Sequence, residues 1–497
     1  MKKLTIYIYF IAALNFSCQS SKEPDLPIII IDTFGQEIPD EPKISAQMAI
    51  TYNGSENVTK YSDSSYYYKG YIGIETRGHT SQDFPKKQYG LETRNADGDN
   101  LSVSLFGMPE EKDWILYAPF SDKSLMRNVV AYDIYRSMGY YAPRTKFCQL
   151  LINGDYVGVY VFMEKIKKDV GRVEISSPTT ENFSGGYLLE LDGFTRVDST
   201  DIYILTEKKK QVYTIKFPKK KDITGDHIDW IKNYLDQFES TLFSDLFNDP
   251  VKGYYHYIDS PSWIDYMLIN EAVRNFDAFQ SSTYFYKKKD GKLFAGPVWD
   301  LNLAMGNINY DGSNFTEGWL MNERYLPSRL LQDSIFFNEY KKRWKVLRKN
   351  QLAVPKITSM IDNYARLLDT AQKTNFKRWP SLGKYVWPNR YVGNSYEDEI
   401  NYLKQWIEVR FSWIDSQFFG TKYSGELNIT GHIRVLYKKS AMKKQFGSLM
   451  GGKKDGHWTE WYKNGQKKNE GAYNDSKKID KWIYYNEDGS VKRTKEY

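Results

Sequence analysis

The stretch "GPVWDLNLAMGN", residues 296–307, sets a carboxylate, Asp300, directly after an apolar run ending in Val298 and Trp299, and a carboxamide, Asn302, two residues later. Upstream, "NFDAFQSSTYFYKKKDGKLFAGPVWD" carries Asp277 just beyond a helix expected to end near Asn275, four residues before Ser281. Between them Asp290-Gly291 is a two-residue turn signal. That turn sets Lys289 opposite Lys292 and, counted back, Ser281 opposite Asp300. The reversal therefore returns Asp300 to the neighbourhood of Asp277, beside Ser281, Ser282 and Asn302. Converging hard oxygen donors suit Mg²⁺ or Mn²⁺, and a second carboxylate can orient a hydroxyl for phosphoryl transfer. The same pair suits glycoside hydrolysis, in which two carboxyls flank a sugar bond. A purely structural use is the third option, with Asp277 closing a helix end and Asp300 meeting a lysine.

The elements that must deliver these groups read as an α+β layout. A strand, "LPIIIIDT", follows a polar linker; "YIGIETRG" and "KKQYGLETR" are strand-like runs around the polar loop "HTSQDFP". "KFCQLLI", an Asn153-Gly154 turn and "DYVGVYVFMEK" read as a hairpin. Between them "SDKSLMRNVVAYDIYRSMG" predicts one helix, with Ser121 as N-cap and Gly139 as stop. From about 255 the character turns helical. "DSPSWIDYMLINEAVRN" has Ser260 as expected N-cap and Pro261 at the first helical position, with Ile264, Met267, Leu268 and Ala272 along one face. A last helix opens on a Ser395–Asp398 capping box and carries Ile400, Leu403, Ile407, Phe411, Ile414 and Phe418 as its stripe.

With 497 residues and 41% apolar content, the chain has room for two or three domains, or one large domain with an appendage. A net charge of +7 spread over many acids and bases argues for a mildly basic protein and against a nucleic-acid partner. "MKKLTIYIYFIAALNFSCQSSKE" has two lysines and an apolar run too short to remain across a bilayer, so residues 1–17 read as an export signal. Cys18 then falls where a bacterial lipoprotein is cleaved and acylated, with a linker over 18–26 and a membrane-anchored, cell-envelope location. That leaves Cys148, in an apolar strand, as a core residue. At the other end, Trp458 aligns with Trp482 and Gly465 with Gly489 at a shift of 24, and a weaker copy sets Gly447 on Gly471 and Lys453 on Lys477. Short hairpins of this kind cannot bury their aromatics alone and must stack on neighbours. Residues 430–497 resemble MORN-type repeats, a small β-hairpin array suited to binding a protein or glycan.

The blocks "IETRGHTSQDFPKKQYGLE", "LFGMPEEKDWILYAPFSDKSLMRN", "YAPRTKFCQLLINGDYVGVYVFMEKIKKDVGRVEI", "GGYLLELD" and "NEAVRNFDAFQSSTYFYKKKDGKLFAGPVWDLNLAMGN" occur in one order along residues 27–425. In these blocks the chain resembles the spore coat protein H (CotH) family of atypical kinases. The resemblance implies a divergent two-lobed, protein-kinase-like fold that binds ATP with Mg²⁺ or Mn²⁺ and phosphorylates protein side chains. It places the catalytic acid on Asp277 and a metal ligand on Asp300. Asn302 stands where the family has a second acid; its amide oxygen can still ligate, at the loss of one charge.

Further candidates follow from chemistry and position. Arg77 and Lys87, with Lys86 competing, flank the "HTSQDFP" loop and could hold phosphates, Arg as a fork and Lys as a point charge. Their plain alternative is a solvated basic loop. Ser282 joins the nucleotide-facing set. Asp122 and Arg127 could bridge the site or pair within one helix; Glu164 and Lys165 could contact nucleotide or each other. Neither GxGxxG nor GxxxxGK occurs, and no His/Cys cluster points to zinc. Asn302 and the export signal favour a rival reading, a non-catalytic surface lipoprotein that keeps the fold as a scaffold for a protein or glycan partner.

Overall fold

A computed structural model of the chain describes residues 26–54, 65–197, 201–309, 316–437 and 442–497. The expected export signal and Cys18 lie outside them. Seven strands close a barrel in the order β1-β2-β3-β4-β5-β7-β6: β1 (Ile28–Asp32), β2 (Ile44–Thr51), β3 (Tyr68–Arg77), β4 (Gln88–Arg94), β5 (Asp113–Tyr117), β6 (Thr145–Ile152) and β7 (Asp155–Glu164). All pairs are antiparallel except the closing one, where β1 runs parallel to β6 with Ile28 opposite Gln149. Alternation decides the inside: Ile29, Ile31, Met48, Ile50, Ile72 and Ile74 are all fully buried. Asn153 and Gly154 turn β6 into β7 with φ of 51° and 85°, the left-handed pair that a tight hairpin needs. Cys148 is buried in β6, and burial pushes its thiol up to about 12.

One helix, α1 (Arg127–Ser137), packs between β5 and β6 in chain order. It starts six residues later than Ser121. Asp122 is the reason: its carboxylate accepts from the amides of Ser124 (3.1 Å) and Arg127 (2.8 Å) and holds residues 121–126 as a capping loop.

A second, antiparallel sheet follows in the order β12-β11-β8-β10-β9: β8 (Tyr187–Asp192), β9 (Tyr203–Leu205), β10 (Val212–Phe217), β11 (Thr283–Lys287) and β12 (Leu293–Ala295). Helical character begins at α2 (Gly225–Leu242), earlier than the expected 255; Ile231, Leu235, Phe238 and Leu242 form its buried stripe. In α3 (Ser260–Ala272) the cap is Asp259, which accepts the amide of Ser262 at 3.0 Å, so Ser260 lies inside the helix. Every residue from Ser262 to Ala272 is buried, which makes α3 the central pillar of the main core.

Around it stand α4 (Tyr325–Leu330), α5 (Ser334–Lys349), α6 (Val354–Arg378) and, after the short β13 (Tyr391–Val392), α7 (Tyr396–Phe419). α7 carries the expected capping box and buries the expected stripe, and Gly420 ends it at φ 68°. Arg410 of α7 pairs with Glu271 of α3, both buried; the Glu271 carboxylate also accepts the amides of Leu320 (2.9 Å) and Met321 (2.8 Å). The chain is thus a mixed α+β protein.

Beyond α7, β14 (Gly431–Leu436), β15 (Lys443–Met450), β16 (Lys453–Trp461), β17 (Lys467–Asn474), β18 (Lys477–Tyr485) and β19 (Val491–Glu496) form an antiparallel meander with β13 at its edge. Its internal repetition is physical. Trp458 Nε1 donates to Ser448 O at 2.9 Å, and Trp482 Nε1, 24 residues on, donates to Ala472 O at 3.0 Å. Each indole lies over a glycine: a Cβ at Gly447 would fall 2.2 Å from the Trp458 ring, and one at Gly471 would fall 2.4 Å from that of Trp482. Both rings are buried and cannot swing aside. Gly471→Ala is expected to destabilise this sheet by about 1–3 kcal/mol, as overpacking does. Thermal unfolding followed by tryptophan fluorescence measures it, and an unchanged midpoint would contradict the packing described.

Candidate functional site

Asp277 and Asp300 line one cleft of about 360 Å³, with Asn302, Ser282, Arg77, His79, Asp192 and Arg196. The barrel supplies Arg77 from the end of β3 and His79 from the following loop. The second sheet and the loops after α3 and β12 supply the rest.

The route by which Asp300 arrives differs from the expected hairpin. β11 and β12 pair with Lys287 opposite Leu293 and Phe285 opposite Ala295, one residue off the predicted register. Asp290 takes the left-handed position, φ 48°, and Lys288–Lys292 form a wider loop instead of a two-residue turn. Pairing stops at Ala295, so Ser281 and Asp300 are not strand partners. Gly296, φ 114°, lets the chain pass Tyr135, whose hydroxyl would lie 2.7 Å from a Cβ there. Asp300 itself has φ 54°, an uncommon conformation for an aspartate that its surroundings must hold.

They hold it from α1. The amide of Asp300 donates to the Tyr132 hydroxyl (3.3 Å) and that of Leu301 to Asn128 Oδ1 (2.7 Å). Asn307 Nδ2 donates to Asn302 O at 2.8 Å, and the Met305 amide donates to Val273 O (2.8 Å), tying this loop to the end of α3. Asp277 sits in the next turn. Asn275 folds back on Asn270 through amide and side chain, both at 2.9 Å, and the Ser281 hydroxyl donates to Asp277 Oδ1 at 3.2 Å. Arg324 straps the same loop, its Nε donating to Ala278 O at 2.9 Å and its Nη2 to Phe276 O.

Burial and the neighbouring Asp277 push Asp300 up to about 6, against the pull of Arg77 and Arg196. Burial also raises Asp277, opposed by Arg196, the Ser281 hydrogen bond and Arg324. Asp192, at the end of β8, is raised by burial although it accepts from the Gly193 amide (2.8 Å) and Arg196 Nη1 (3.4 Å). Sequence reasoning missed Asp192, Arg196 and the anchors Tyr132, Asn128 and Arg324. The signal for Asp192 was present: in "YLLELD" the acids at 190 and 192 share one face of an otherwise apolar strand.

A second cleft, of about 490 Å³, adjoins the first, and Arg77 and Trp299 line both. Its walls include Ile115, Ile166, Ile215, Tyr284 and Trp299, and Lys165, Lys219 and Lys220 stand at its exposed rim. Arg77 lies over the Trp299 ring at 5.7 Å.

Four predicted phosphate or nucleotide contacts lie elsewhere. Lys86 is buried and donates to Val159 O and to Asn375 Oδ1 (2.9 Å), joining β7 to α6; burial lowers it to about 7. Lys87 donates to Gln82 O within its own loop. Glu164 is buried beneath Arg144 (2.8 Å) and Arg172 (3.3 Å). Arg127 is wholly buried on Asp122. Each is held by a partner of its own, Lys87 half-buried and the other three buried, and none lines either cleft.

A model of the family described as CotH kinase protein matches residues 74–414, more than half of the chain. The chain belongs to that family. It is also 20% identical over 323 residues to the inner spore coat protein H of Bacillus subtilis (strain 168), covering 62% of this chain and 81% of that protein. The matched CotH region holds the end of β3 with Arg77, α1, both sheets' cleft-lining segments and the loops carrying Asp277 and Asp300.

Two outcomes follow for this CotH member. Below about pH 4 Asp300 is protonated folded or unfolded. Between there and its folded value of about 6 only the folded chain keeps the proton, so stability falls as pH rises. Asp300→Asn is expected to stabilise the protein at pH 7.5 by on the order of 1–2 kcal/mol after solvent screening, a gain absent near pH 4. Urea titrations at the two pH values measure it. Lys86→Met, by contrast, is expected to leave any nucleotide-induced thermal shift within about twofold in apparent affinity, because its ammonium faces Asn375 and not the cleft.

Proposed function

We propose that this protein transfers the γ-phosphoryl group of ATP to a hydroxyl side chain of another protein in a Mg²⁺- or Mn²⁺-dependent reaction, using a two-lobed, kinase-like arrangement of barrel and helical half. The observation that carries it is the shared cleft of Asp277 and Asp300, brought there by separate elements and lined by a basic side chain from the barrel.

The donor set fits a hard divalent cation. Asp300 and Asn302 would hold it through carboxylate and amide oxygens, with Ser282 close by. Among the described residues no three His, Cys, Asp or Glu side chains cluster tightly enough to bind a metal by themselves, so phosphate oxygens and water must complete the shell. When bound, the cation supplies positive charge against the β- and γ-phosphoryl oxygens. The raised Asp300 is consistent with this: burial and the neighbouring Asp277 outweigh the pull of Arg77 and Arg196, so a cation in the cleft would be favoured.

Asp277 takes the acceptor proton. Its raised basicity serves a base that must accept a proton as the hydroxyl oxygen attacks phosphorus. The new O–P bond forms, the β–γ bridging O–P bond breaks, and ADP carries away the electron pair. Arg77, at the junction of the clefts, meets the phosphates, and the second cleft, with Trp299 as one wall and charged side chains such as Glu190 and Lys216 in its lining, receives the nucleoside. Lys165 and the rim lysines then lie on the nucleoside side. The proposal includes export and lipid attachment through Cys18, with the carboxy-terminal sheet as a MORN-type binding array.

Asn302 favours a second reading, since the cleft has one acid fewer than two aspartates would give: a kinase-fold scaffold without transfer. Labelled ATP with Mg²⁺ or Mn²⁺ separates the two. Transfer to the protein itself and a nucleotide-dependent thermal shift are expected. Asp277→Ala should keep the shift and lose at least about 10²-fold in transfer, and Asp300→Ala should lose both. Neither shift nor transfer in the unaltered protein would leave only the scaffold.

A further inference from the structure

We infer that one face of the carboxy-terminal sheet binds a linear acidic polysaccharide. The inference is independent of phosphoryl transfer. Strands β15, β16, β17 and β18 each begin with two lysines, and β19 carries Lys492, Arg493 and Lys495. Alternation sends one lysine of each pair to each face. The two faces then differ. On the indole face Lys454 lies 4.2 Å from the Trp458 ring centroid and Lys478 lies 4.0 Å from that of Trp482. Beside them Arg493 covers Tyr484 at 4.7 Å and Lys495 covers Tyr497 at 4.3 Å. Among the described residues none of these four cations forms an ion pair; on the opposite face Lys453 pairs with Asp475 at 2.6 Å and Lys481 stands across from Glu496, while Lys444 and Lys477 are also without an ion pair. One acid of the indole face, Glu460, accepts from the neutral amides of Gln445 (2.9 Å) and Asn469 (3.0 Å) and keeps its charge near Lys454, so the face is cationic by excess.

Strand spacing puts Lys454 and Lys478 about 10 Å apart, with Arg493 and Lys495 one strand further on. A row of cations free of ion pairs along an antiparallel sheet fits a chain with regularly repeated anions. The rings are already covered by lysine or arginine, which leaves little face for nucleic-acid bases to stack on. Trp458 and Trp482 are buried, the exposed Phe446 and Met450 fall on the opposite face, and the half-exposed Tyr497 ring is covered by Lys495, so this face offers few apolar side chains to a lipid surface. Uronate or sulfate groups along a sugar chain match what is left.

The full-length protein should bind polygalacturonate or heparin in calorimetric titration, with affinity falling about tenfold or more between 50 and 200 mM salt. Replacing Lys454, Lys478, Arg493 and Lys495 together by Gln should cost at least about tenfold. The charge-matched replacement of Lys444, Lys453, Lys477 and Lys481 by Gln, on the other face, should cost less than about twofold. Unchanged thermal unfolding of both variants shows that each is folded. Equal losses in the two variants, equal binding of uncharged dextran, or tighter binding of polyglutamate or duplex DNA would each overturn the inference.

Discussion

Two carboxylates of like charge, drawn from different parts of the chain, are held in one partly dewatered cleft. Left to themselves Asp277 and Asp300 would separate or take up a proton: burial raises both, and Asp277 raises Asp300 further. The surrounding fold can be understood as what resists their separation. Asp300 is fixed through backbone amides by Tyr132 and Asn128 of α1, Asp277 by the turn that Asn275 and Arg324 close, and the Met305–Val273 hydrogen bond joins the two loops. Restraint through backbone groups leaves the carboxylate oxygens facing the cleft, with the Ser281 hydroxyl on Asp277 as their one hydrogen bond among the described residues.

The pillar behind those loops has the same logic at larger scale. α3 is buried on all sides, and Glu271, six residues before Asp277, is locked between Arg410 and the amides of Leu320 and Met321. A buried charge pair that is also hydrogen-bonded from the backbone is weak evidence for extra stability, but it specifies one arrangement of α7 against α3. Because Asp277 follows α3 within a few residues, any slip of that helix would be transmitted to the acid.

Much of this was legible in the residues alone, and what was not has identifiable causes. The Asn153-Gly154 hairpin and the α7 cap and stripe are local signals, complete within a few turns of chain, and the structure reproduces them. The meeting of Asp277 and Asp300 was legible, but by a route only half right. The Asp-Gly turn reversed the chain, yet the loop widened and the register moved by one, so Gly296 and the α1 anchors made the final approach instead of strand pairing. Lys86 shows the opposite failure. A lysine in a polar-looking loop reads as solvated or phosphate-facing, and only the tertiary approach of Asn375, 289 residues away, reveals a buried structural cation. Helix α1 began late because Asp122, not Ser121, captured the free amides, a choice among neighbouring caps that spacing cannot decide.

Asn302 deserves weighing against Asp192. An amide in place of an acid lowers the negative charge beside Asp300, which weakens attraction for a divalent cation and at the same time relieves repulsion within the cleft. Asp192 enters that cleft from a different element, the end of β8, and Asp277 lies near enough to raise its pKa. The cleft therefore holds three carboxylates without a fourth at 302, set against the guanidinium groups of Arg77 and Arg196. Charge in a site is a property of everything that lines it. An acid supplied by β8 can make up in field what the loop after β12 gives up, while Asn302 still offers its oxygen as a donor. The substitution alone is thus a poor guide to whether the site works, and the electrostatics of the whole cleft decide it.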